Sequence, residues 1–122
     1  MFNLFKKNNV IKEARYAAGM NFDLENVEPF FKNLSSSVLD SGFSQDEINA
    51  INSEINKMKK NNEVKSIGTF EVMYKGQPTK IRIEAEIHME DEDKEVVLYM
   101  YSIEDLVALI DEEMMKFEEE ME

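Results

Sequence analysis

The chain has 122 residues, no cysteine, no tryptophan, and 26 acidic against 14 basic side chains, for a formal net charge of −12. That length admits one domain with a real core, and the missing cysteines exclude disulfides, thiol nucleophiles and cysteine-based metal centres. At 43% hydrophobic residues the chain is expected to fold rather than behave as a disordered acidic tail, and no apolar run approaches the ~18–20 residues that span a bilayer.

Residues 1–9 read as a flexible arm. Phe2, Leu4 and Phe5 stand beside Lys6 and Lys7, with Lys12 and Arg15 following. Such a basic, apolar arm docks on the domain or touches a membrane surface weakly, and one turn is too short for stable membrane binding. Lys6-Lys7-Asn8-Asn9 interrupts the apolar start where a signal peptide would continue it, so a cytoplasmic address is expected. Residues 10–18 are good helix formers, and Gly19 is expected to stop them.

The next helix is predicted from about Asn26, with Asp23 or Asn26 as cap and Pro29 in the first turn. Val27, Phe30, Phe31, Leu34 and Val38 share one face, and Gly42 closes the segment. Ser44 and Glu47 form a capping box, while Phe43 and Ile48 supply the matching hydrophobic staple. Ile48, Ile51, Ile55 and Met58 give the following apolar stripe, and Lys57, Lys59 and Lys60 stand at the negative end of its dipole. Together the two helices predict an αα-hairpin.

The period then falls to two. Residues 64–74 read as a strand with Phe70, Val72 and Tyr74 on one side, and Lys75-Gly76-Gln77-Pro78 as a turn. Along residues 79–89, Ile81, Ile83, Ala85, Ile87 and Met89 alternate with Lys80, Arg82, Glu84, Glu86 and His88, the mark of an antiparallel strand with one wet face. A charged turn over residues 90–94 leads into residues 95–101, apolar on both faces, which either lie covered on both sides or offer one face to a partner. Ser102 is expected to cap a last helix whose stripe is Leu106, Val107, Ile110, Met114, Phe117 and Met121. The prediction is therefore α+β and two-layered: N-terminal helices including an αα-hairpin, a three-stranded antiparallel β-meander and a C-terminal amphipathic helix, in one domain over residues 1–122.

Most catalytic chemistry lacks its residues. His88, the single imidazole, falls on the wet face of a regular strand and is a poor base for a nucleophilic triad. The four glycines are isolated, so no loop cradles phosphate. The acidic run 90–93 could hold a divalent ion but lacks EF-hand spacing and a shaping glycine. No cofactor is expected, and the chain reads as a non-enzyme.

Charge supplies the remaining signal. Residues 1–62 balance eight cations with eight anions, whereas residues 63–122 set eighteen anions against six cations. That asymmetry argues against direct contact with nucleic acid or an anionic membrane and favours a basic partner. Carboxylates at i and i+2 of a strand stand about 6.6–6.8 Å apart, near the spacing of successive phosphates along a nucleic-acid strand. The acidic half is thus expected to occupy the cationic site of a toxin, nuclease or other nucleic-acid enzyme, as an immunity or inhibitor protein would. Glu84, Glu86, Asp91, Glu92, Asp93, Asp111, Glu112 and Glu118 are the candidate contacts. The alternative is a chaperone or adaptor that holds a polypeptide client, or a second copy of itself as a homodimer, through Tyr99, Tyr101, Met114, Phe117 and Met121.

Overall fold

The computed structural model of the chain describes residues 16–90 and 93–121. It is α+β. In chain order come strand β1 (Tyr16–Asp23), a one-turn 3-10 helix (Leu24–Asn26), helix α1 (Val27–Ser37), helix α2 (Gln45–Lys57), strands β2 (Val64–Tyr74), β3 (Gln77–Glu90) and β4 (Asp93–Ser102), and helix α3 (Glu104–Met121). The four strands form one antiparallel sheet in the order β1-β4-β3-β2.

The fourth strand corrects the sequence reading. Residues 16–18 were expected to end a helix, but they open β1, where Ala17 faces Tyr101 and Ala18 faces Met100 on β4. Residues 10–15, the rest of that expected helix, lie outside the described residues, as does the arm at residues 1–9. The physical reason is burial. Ala18 and Phe22 are almost fully buried on one side of the strand, with Met20 packed between them. Two alanines and a glycine disguise that period-two pattern, and tertiary pairing outweighs the helix propensity of Ala, the highest of any residue but small in energy. Gly19 sits in mid-strand and stops nothing.

The local signals around α1 and α2 are realised atom by atom. Pro29 occupies the first turn of α1, where its missing N–H leaves no bond unmade. The Ser44 hydroxyl accepts from the Glu47 amide at 3.1 Å, and the Glu47 carboxylate accepts from the Ser44 amide at 2.9 Å. The connection between the helices presses tightly on α1. The Phe43 amide donates to Ser35 Oγ at 2.9 Å, and a Cβ built on Gly42 would lie 2.6 Å from the Ser35 Cα. Only glycine allows that approach.

All three helices cover one face of the sheet. Phe22 on β1 stacks against Phe30 of α1 (5.0 Å between centroids) and Phe117 of α3 (6.0 Å). The chain of rings continues through Phe31 and Phe43 to Phe70 on β2. Beneath it lie Ile81, Ile83, Ala85 and Ile87 of β3 and Val96, Leu98 and Met100 of β4, all fully buried. Edge-to-face contacts of this kind add to what ring burial already contributes.

Two side chains behave differently from expectation. Ser102 does not cap α3. It is the last residue of β4, buried, and its hydroxyl donates to the Lys80 carbonyl at 2.6 Å. A buried hydroxyl needs a partner, and the carbonyl of Lys80 on the neighbouring strand supplies it. Lys94, read only as part of a charged turn, reaches across to the end of α2. Its ammonium donates to the carbonyls of Met58 (2.6 Å) and Ile55 (3.1 Å). Partial burial, with Lys59 nearby, holds the Lys94 pKa below the ordinary lysine range.

Candidate functional site

Helices on one face leave the other open. On that face β3 presents Arg82, Glu84, Glu86 and His88, and β4 presents Glu95, Val97, Tyr99 and Tyr101, all half-buried. No described residue forms a layer over them.

The register sets the geometry. Arg82 faces Tyr101, and Glu84 faces Tyr99. The Arg82 guanidinium lies over the Tyr101 ring, 4.1 Å from its centroid, and is salt-bridged to Glu84. The Tyr101 hydroxyl donates to the second oxygen of Glu84 at 3.0 Å. One step along, the Tyr99 hydroxyl donates to Glu86 at 3.1 Å, and the His88 Nε2 lies 3.3 Å from the other Glu86 oxygen. Both carboxylates are therefore held in position by rings on the neighbouring strand. Glu84 and Glu86 keep 27% and 23% of their side-chain surface exposed, enough to meet a partner without being freely solvated.

The two phenols are tuned by this setting. Burial pushes both pKa values above the ordinary tyrosine range, and the hydrogen bond from each neutral hydroxyl to a carboxylate pushes the same way. Arg82 pulls back only on Tyr101. On the β1 side Tyr99 leans over Gly19, where a Cβ would lie 2.9 Å from the ring. An aromatic ring laid over a strand glycine shields backbone that has no side chain of its own.

The expected contacts divide. Glu84 and Glu86 stand together at the centre of the open face. Asp93 lies at its end, on the rim of a polar hollow of about 280 Å³ that His88, Glu90 and Glu95 also line. Asp111 and Glu112 and, two turns on, Glu118 are exposed on α3, in the helix layer on the opposite side of the sheet. Asp91 and Glu92 lie outside the described residues. Glu118 nevertheless lines a hollow at the β1 edge together with Asn21 and Glu95. Among the described residues, no group of three or more His, Asp or Glu is arranged to hold a metal ion, and no helix is long and apolar enough to cross a membrane.

The side chains expected to form a client-binding apolar surface are divided between the core and the open face. Met114 and Phe117 are buried in the core, while Tyr99 and Tyr101 belong to the polar network just described. Met115 is exposed on α3, at 52%, and the side chain of Met121 lies outside what is described. Sequence reasoning missed the tyrosine–carboxylate pairing. The signal was present in the two alternating strands, but the pairing required the β3–β4 register.

Comparison of the chain with known proteins gave no matching family model, no similar curated protein and no similar solved structure.

Proposed function

We propose that the chain is a non-catalytic protein-binding module that takes a basic protein partner on the open face of its sheet. In its most concrete form it is an inhibitor or immunity protein that covers the cationic site of a toxin, nuclease or other nucleic-acid enzyme. The observation that carries this reading is the central pair Glu84 and Glu86, partly exposed and braced by Tyr101 and Tyr99. Tyrosine and arginine dominate the energetic centres of protein interfaces, and pre-positioned groups lose little entropy on binding. The acidic row on α3 has charge but no such framing. It suits long-range steering of a basic partner more than contact with it. Direct nucleic-acid binding is disfavoured, since the aromatic rings here sit among carboxylates that repel phosphate.

Affinity capture from the native host's lysate, eluted by a stepped salt gradient, tests the reading. A basic protein that is released by moderate salt, and is not captured by the Glu84→Ala/Glu86→Ala variant, supports it. A partner that survives high salt and ignores those substitutions contradicts it, as does recovery of the chain's own second copy alone.

A further inference from the structure

Resting on that proposed reading, we infer that Tyr99 and Glu86 form an arginine-reading subsite, which takes the guanidinium of an arginine carried by the partner protein. The chain contains its own template. Arg82, Tyr101 and Glu84 make a unit in which a guanidinium lies over a ring, 4.1 Å from its centroid, and pairs with the carboxylate that the same tyrosine's hydroxyl holds. A shift of two residues along both strands maps Tyr101 onto Tyr99 and Glu84 onto Glu86. The ring–carboxylate bond is kept, at 3.1 Å. The same shift maps Arg82 onto Glu84. The second ring therefore has a carboxylate opposite it where the first has a guanidinium, and besides the Tyr99 hydroxyl its own carboxylate has, among the described residues, the imidazole of His88 as neighbour.

The surroundings favour a planar cation from outside. Gly19 lets the Tyr99 ring rest against the edge strand, which fixes the ring in place. Val97, half-buried on the same face, gives apolar footing for an arginine stem. An incoming cation meets Glu86 and Glu84 together, and a second anion in the same place would be repelled. Arginine is favoured over lysine because its flat guanidinium stacks on a ring and pairs with a carboxylate at once, whereas an ammonium is compact and strongly hydrated.

The test is an NMR titration of the whole protein at low salt with two probes of equal charge, acetyl-tetraarginine amide and acetyl-tetralysine amide. The expected result is a shift of the Tyr99 ring and Glu86 side-chain signals, with roughly two- to fivefold tighter binding of the arginine peptide. Tyr99→Leu and Glu86→Gln should each remove that preference, while Tyr99→Phe, which keeps the ring, should retain part of it. The triple variant Asp111→Asn/Glu112→Gln/Glu118→Gln should keep the preference. Equal binding of the two peptides on the open face overturns the arginine subsite and leaves the basic-partner reading standing. Shifts confined to α3, or none at all, overturn both.

Discussion

Replacing Lys94 by methionine would remove the ammonium that ties the β3–β4 hairpin to the end of α2. The last carbonyls of any helix lack an N–H partner within the helix. Here Lys94 Nζ lies 2.6 Å from the Met58 carbonyl, 3.1 Å from Ile55 and 3.5 Å from Asn56. Ile55 also accepts from the Met58 amide, and 3.5 Å is a weak bond, so the contact to Met58 carries the largest share. A hydrogen bond from a charged donor contributes about 1.5–3 kcal/mol, and a cation at a helix C-terminus adds about 0.3–1 kcal/mol. Methionine keeps the apolar stem and recovers part of the packing. The net cost should be about 2 kcal/mol. With a urea slope of about 1–3 kcal/mol/M, the unfolding midpoint should fall by roughly 1 M. A parallel thermal melt should drop by roughly 6–12 °C. A change below about 0.5 kcal/mol with an unaltered slope, the size of an ordinary surface substitution, would refute the claim that this lysine closes the helix.

Other perturbations probe different parts of the account. Gly42→Ala should destabilise by about 1–3 kcal/mol in a thermal or urea melt, because the new Cβ meets Ser35 backbone that cannot step aside. Tyr99 and Tyr101 should titrate above the ordinary phenol range when tyrosinate absorbance is followed. Their folded-state pKa values are raised, so the stability they contribute is full below pH 10 and is lost as pH rises through the folded values. Glu84→Gln should bring Tyr101 part of the way back, with burial holding the remainder. At the acid end, Lys65 and Lys57 hold the Glu54 carboxyl below its usual range. Its contribution is present above pH 4.5 and fades as pH falls through the folded value, so Glu54→Gln should flatten the pH dependence of the urea midpoint in that window.

Local chemistry was legible in the sequence wherever it is short-ranged. The Ser44–Glu47 capping box, Pro29 in a first turn, and the inward set Ile81, Ile83, Ala85 and Ile87 each depend on residues a few positions apart, and each is present. What depended on distant partners was not legible. β1 is a strand because β4 pairs with it across some eighty residues of chain, and nothing in Ala17-Ala18-Gly19 announces that pairing. Ser102 faces Lys80 rather than the helix it precedes, and Lys94 closes a helix some forty residues earlier in the chain. The candidate site shows both behaviours. Glu84 and Glu86 stand out from the strand pattern alone. Their union with Tyr101 and Tyr99 follows from the cross-strand register, and the place of Asp111, Glu112 and Glu118 follows from the packing of α3 against the covered face.

The central claim is that the open face, rather than the acidic helix, makes the contact. The direct measurement is the affinity of the captured partner for the intact chain, for Glu84→Ala/Glu86→Ala and for Asp111→Ala/Glu112→Ala/Glu118→Ala, each at low and moderate salt. The open-face variant should lose at least roughly tenfold in affinity at both salt concentrations, as interface centres do. The helix variant should lose affinity chiefly at low salt, where steering operates. An open-face variant that binds as well as the intact chain, beside a helix variant that does not bind, would contradict it.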